Sequence, residues 1–86
     1  MASISVIYDF RGAKPQTVNK FTAALYKEFP KSLKMDDKFS FTLNLAGPVN
    51  LGDLRKKLRS LIPTEGISSY RFTIDMDGKP MVFSGP

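Results

Sequence analysis

Few residues of this 86-residue chain are of a type that does chemistry, and the best placed of them is Asp9. It follows the apolar run Val6-Ile7-Tyr8 in the stretch SISVIYDFRG, Ser3 to Gly12. The chain has no histidine and no cysteine. A His-based triad, a thiolate nucleophile and the commonest zinc ligands are therefore excluded, and any catalysis falls to carboxylates, Lys or Tyr. A Mg²⁺-assisted phosphodiester hydrolysis needs carboxylate oxygens converging on a hard cation, with waters completing an octahedron. Asp9 alone does not supply them, whereas two copies across a dimer axis would. The plainer alternative makes Asp9 the polar residue that starts a loop, accepting hydrogen bonds from the amides ahead of the next helix.

The other acids are weaker candidates. Asp75-Met76-Asp77-Gly78 has the look of a calcium loop's beginning, but the loop's twelfth position falls on Pro86 and its flanks read as strands, so it is expected to be a hairpin turn. Asp36-Asp37 is likewise expected to be a turn. The basic residues are more numerous: 13 Lys and Arg against 8 Asp and Glu give a net charge of +5. Arg55, Lys56, Lys57 and Arg59 fall opposite a leucine stripe, and Lys14, Lys20, Lys27, Lys31 and Lys34 surround the preceding helix and its exit. Should the two helices pack side by side, these cations make one surface able to displace counterions from a phosphate backbone. An ordinary solvated helix face is the alternative.

The elements that position these residues can be read from periodicity. Ile4, Val6 and Tyr8 alternate with Ser3, Ser5 and Ile7, predicting a strand over 3–9, followed by a connection over 10–14. Pro15 suits the first turn of a helix, Val18, Phe21, Leu25 and Phe29 form its apolar stripe, and Pro30 ends it. Phe39, Phe41, Leu43 and Leu45 alternate in a hairpin whose first arm is weak. A second helix follows, capped by Asn50 with Asp53 three residues on, carrying Leu51, Leu54, Leu58 and Leu61, and closed by Pro63. Tyr70, Phe72, Ile74 and Met76 predict a strand. Asp77-Gly78 predicts a type I′ turn, and the returning strand through Met81, Val82 and Phe83 reads as an edge because Pro80 donates no ladder hydrogen bond.

This order, β-α-β-β-α-β plus a C-terminal edge strand, predicts one α+β domain over 1–86: a ferredoxin-like sandwich with both helices on one face of an antiparallel sheet. If 31–35 were loop, the order would become β-α-β-α-β-β. Hydrophobic residues at 42% and charged residues at 24% describe a globular chain, and this length supports one core. The absence of cysteine fits a reducing compartment, and no run of residues is apolar for long enough to span a bilayer, so the expected location is the cytoplasm.

The strand ending VIYD, the VNLGDLRKKLRSLI helix and the YRFTID strand together resemble the layout of the Cas2-like family of small ferredoxin-fold proteins. That family includes CRISPR-associated integration components and small endoribonucleases of toxin and antitoxin systems. The resemblance implies that Asp9 is the family's acidic residue at the end of the first strand, facing its symmetry mate and helping to hold a divalent metal. It implies that Arg11 contacts phosphate, and that Met81, Val82 and Phe83 form the strand that pairs with a partner protomer. This sequence departs from the pattern in having no other acid within the next several residues.

The function expected from these features is a small basic binding protein or regulator acting on nucleic acid or a nucleic-acid-processing complex, without catalysis and without a cofactor. Its contacts would be Arg11, Lys20, Lys27, Arg55, Lys56 and Arg59, and it would form a homodimer. Two alternatives stay open. One is a Cas2-like Mg²⁺-dependent endoribonuclease using Asp9, and the other is a viral or mobile-element accessory protein that binds and inhibits a host protein through its edge strand.

Overall fold

A computed structural model of the chain describes residues 2–63 and 66–85. Seven elements follow in order: β1 (Ala2–Arg11), α1 (Pro15–Glu28), β2 (Leu33–Asp37), β3 (Ser40–Leu45), α2 (Leu51–Leu61), β4 (Ser69–Met76) and β5 (Lys79–Gly85). The strands form one five-stranded sheet in the order β2-β3-β1-β4-β5, every neighbouring pair antiparallel. The fold is thus a small α+β arrangement of two helices and an antiparallel sheet.

Period-two alternation decides which side of the sheet is covered. Ile4, Val6, Tyr8 and Phe10 of β1 are buried, as are Phe41 and Leu43 of β3, Tyr70, Phe72 and Ile74 of β4, and Phe83 of β5. They join Val18, Phe21 and Leu25 of α1 and Leu54 and Leu58 of α2 in a single cluster, so both helices lie on that face. Its centre is aromatic: Phe72 has its ring centroid 5.0 Å from Phe83 and 5.9 Å from Phe10 and Phe21. The alternate residues Ser3, Ser5, Ile7, Asp9 and Arg11 are exposed on the opposite, uncovered face.

Local chemistry accounts for the ends of the elements. Pro15 occupies the start of α1, where a missing N–H costs nothing. The Asp53 N–H donates to Asn50 Oδ1 at 3.1 Å, capping α2. At the β4–β5 turn Asp77 and Gly78 both have positive φ, 56° and 77°, as a type I′ turn requires. Among the described residues β5 pairs only with β4, and it carries Pro80, so it is an edge strand.

Three local expectations are corrected. β1 runs through Phe10 and Arg11 instead of ending at Asp9, because Phe10 continues the buried alternation and pairs with Tyr70 while Arg11 pairs with Ser69. The β2–β3 turn falls on Lys38-Phe39, and Asp36 and Asp37 belong to β2. Asp36 is held in the strand by accepting a hydrogen bond from the Thr42 hydroxyl at 2.6 Å, and a bulge between Met35 and Asp37 shifts the register there. Phe39 is consequently a turn residue, 40% exposed, resting edge-on against Tyr8 rather than joining Phe41 in the core.

Candidate functional site

The cations of α2 are distributed by helical geometry. Leu54 and Leu58 point into the core, which places Arg55 on one flank of the helix, Lys57 on the other, Lys56 outward and Arg59 between Lys56 and the Arg55 flank. The flanks make specific contacts. The Arg55 guanidinium lies 5.4 Å from the centroid of the Phe83 ring in β5, and Lys57 Nζ lies 2.9 Å from Glu28 Oε1 at the end of α1 and 5.7 Å from the Phe29 ring. The helix is therefore seated between β5 and α1, with its long basic stems covering apolar edges.

On α1, Lys20, Ala24 and Glu28 form one row at four-residue spacing, with Lys27 adjacent. Because Glu28 meets Lys57, this row is the margin of α1 nearest α2, and both lysines are exposed on it. The structure thus brings Lys20, Lys27, Lys56 and Arg59 onto the outer surface of one helical layer. The only acids on the two helices are Glu28, paired with Lys57, and Asp53, in the first turn of α2. A shallow groove of about 280 Å³ opens beside Lys57, lined mainly by Phe29, Leu45, Pro48, Val49 and Leu54.

Other expected site residues lie elsewhere. Arg11 is on the uncovered face of the sheet, so it does not extend the basic surface of the helices. Asp9 is on that same face, inside the β1 ladder and directly opposite Arg71 of β4. Among the described residues its carboxylate accepts no hydrogen bond from the amides ahead of α1, which removes the loop-starting role. Within one chain, among the described residues, no three acidic side chains gather to hold a metal ion. The edge residues divide: Val82 is 53% exposed on the uncovered face, whereas Phe83 is buried beneath Arg55 and leaves only its backbone at the edge.

Sequence reasoning missed Arg71 as the neighbour of Asp9. The alternation of YRFTID puts Arg71 on the polar side, but the pairing of β1 with β4 is a long-range register that no local pattern encodes. The uncovered face carries no aromatic side chain among the described residues. The strand aromatics Tyr8, Phe10, Phe41, Tyr70, Phe72 and Phe83 all point into the core, so the face is not a platform for stacking bases.

No protein-family model, curated protein or solved structure matches the chain.

Proposed function

We propose that this chain is a small basic binding protein, not a catalyst, that engages nucleic acid or a complex that processes it through its helical layer. The observation that carries the reading is the seating of α2: Arg55 is turned to the β5 flank and Lys57 to α1, leaving Lys56 outward and Arg59 exposed one turn past Arg55, on the same layer as the exposed Lys20 and Lys27 of α1. Such a surface binds phosphate backbone by releasing counterions and has no base-reading element. The bare strand β5 is the natural place for a protein of the same complex to add a strand. The other edge is less suited, because β2 carries a bulge and the charges of Lys34, Asp36 and Asp37.

The finer architectural reading is ferredoxin-like. It is supported by the β4-β1-β3-β2 order within the sheet and by both helices lying on one face, while β5 outside β4 sets the five-strand order apart from a four-strand sandwich.

The test is an electrophoretic shift assay of the full chain with single- and double-stranded RNA and DNA, with and without Mg²⁺, at two salt concentrations. A shift that weakens with salt and is lost in a Lys56→Ala/Arg59→Ala variant supports the reading. Absence of any shift sinks it, and Mg²⁺-dependent cleavage abolished by Asp9→Ala replaces it with the nuclease.

A further inference from the structure

The uncovered face of the sheet has an internal order that the helical layer does not explain. Cross-strand pairing aligns its side chains in rows. One row runs Asp37, Ser40, Ile7, Thr73, Val82 across β2, β3, β1, β4 and β5. It contains two of the large apolar side chains most exposed to solvent, Ile7 at 59% and Val82 at 53%. The row on one side runs Asp9, Arg71, Ser84, and the row on the other runs Lys34, Thr42, Ser5, Asp75, Pro80. A central row that is uncharged from Ser40 to Val82 and carries Ile7 and Val82 is thus flanked along β4 by a cation on one side, Arg71, and an anion on the other, Asp75.

Along β4 that pattern is complementary to itself. A two-fold axis lying along the Ile7–Thr73–Val82 row, midway between two stacked sheets, keeps the apolar rows together and exchanges the flanking rows. It sets Arg71 against Asp75 of the partner subunit, and by symmetry the pair occurs twice. The Asp75 carboxylate is restrained at the β4–β5 turn, where its Oδ1 accepts the Gly78 N–H at 3.0 Å. The small residues around the row, Ser5, Ser40, Thr42, Thr73 and Ser84, allow two sheets to approach at the usual spacing of about 10 Å. The molecule measures 34 × 24 × 21 Å, so its broad face is of the order of the ~800 Å² per partner that specific interfaces bury.

We propose that a second copy of this chain docks on the uncovered sheet face, in a face-to-face homodimer centred on Ile7, Thr73 and Val82 and oriented by Arg71 and Asp75. The two helical layers then face outward on opposite sides. Asp9 lies two residues along β1 from the axis row, so its two copies stand ~13 Å or more apart by strand rise, too far to share one metal ion. This dimer and the shared-metal nuclease therefore exclude each other. It differs equally from pairing through the edge of β5, in which neither Arg71 nor Ile7 takes part.

The experiment is sedimentation equilibrium of the full chain from about 1 µM to about 0.5 mM, the range in which a weak homodimer assembles. The wild type is expected to dimerise, and Ile7→Asp and Arg71→Asp are each expected to raise the dissociation constant about tenfold or more, with circular-dichroism spectra unchanged. Because the chain has no cysteine, single-cysteine variants give an independent readout. Ile7→Cys is expected to be joined into a dimer by a short bis-maleimide, and Lys56→Cys, on the outer helical layer, is not. A chain that stays monomeric throughout the range overturns the proposal. So does a dimer that survives Ile7→Asp and is not joined through Ile7→Cys, a result that moves the interface to the β5 edge.

Discussion

Glu28 Oε1 stands 2.9 Å from Lys57 Nζ, an ion pair that joins the last turn of α1 to the middle of α2. Both side chains are substantially exposed, at 39% and 50%, so the pair contributes little to stability, about 0.5 kcal/mol or less. Its larger effect is on the surface charge, because it holds one cation of α2 in a local partnership. Glu28→Gln is expected to strengthen binding to duplex nucleic acid several-fold at low salt and to steepen the salt dependence by about one phosphate contact. Lys57→Ala is expected to weaken binding more in the Glu28→Gln background than in the parent chain. Fluorescence anisotropy across a salt series measures both, and unchanged affinity in Glu28→Gln would show that Lys57 adds nothing to the binding surface when its partner is removed.

The Tyr8 hydroxyl is buried beneath the β2–β3 turn and donates to the Lys38 carbonyl at 2.9 Å. Burial raises its pKa above the ordinary value of about 10, and the neighbouring Thr22 hydroxyl offsets part of that rise. A phenol whose proton is held more tightly in the folded chain stabilises that state fully below the unfolded pKa and loses the contribution as pH climbs through the folded one. Stability is therefore expected to fall above about pH 10 in the parent chain, and less steeply in Tyr8→Phe. At neutral pH, Tyr8→Phe is expected to cost about 1 kcal/mol for the lost hydrogen bond. Urea unfolding from about pH 8 to about pH 11, a range that spans the ordinary value of about 10, tests both. Identical alkaline limbs for the two proteins would show that Tyr8 does not titrate differently on folding.

Much of this fold was legible because its signals are local. Asn50 before the leucine stripe of α2, Pro15 at the head of α1 and Asp77-Gly78 between two alternating runs each act within three or four residues, and each does in the structure what its chemistry dictates. The strand over 33–37 was harder, since Lys34, Asp36 and Asp37 dilute its apolar pattern and only Leu33 and Met35 lean on the core. The same dilution displaced the turn from Lys38-Phe39 to the two aspartates. The site was less legible than the fold. Helical spacing predicts the outward cations, but whether Lys57 meets Glu28 or Arg55 meets Phe83 depends on how helices and sheet dock. The opposition of Asp9 and Arg71 depends on a register between strands some sixty residues apart.

Gly78 isolates a purely conformational cost. Its φ is +77°, yet a Cβ placed on it would meet nothing within 4 Å, so no steric contact complicates the substitution. Gly78→Ala is expected to destabilise the chain by about 1 to 2 kcal/mol through the left-handed backbone alone. Replacing it with Asn, which tolerates that region better, should recover part of the loss. Chemical denaturation of the three proteins decides the matter. An alanine variant as stable as the parent would mean that the hairpin relaxes to another turn.

Arg55 and its outward neighbours should separate cleanly by what they do. The Arg55 guanidinium lies over Phe83, whose ring stacks on Phe72 at a centroid distance of 5.0 Å and an interplanar angle of 18°, so the cation covers the edge of the aromatic core. Removing it exposes that ring and loses the cation–π contact, at an expected cost of about 0.5 to 1 kcal/mol in Arg55→Ala. Lys56 and Arg59 touch no ring among the described residues, so their alanine variants should hold stability within about 0.5 kcal/mol while losing nucleic-acid affinity. In a double-mutant cycle the cost of Arg55→Ala should shrink when Phe83 is replaced by Leu, because the pair then no longer exists to be broken. Thermal melts and binding isotherms of the same set of variants provide the comparison. Equal stability losses at positions 55, 56 and 59 would show that the stacking over Phe83 contributes nothing particular. A loss of affinity confined to Arg55→Ala would reverse the roles assigned to the flank and the outer face of α2.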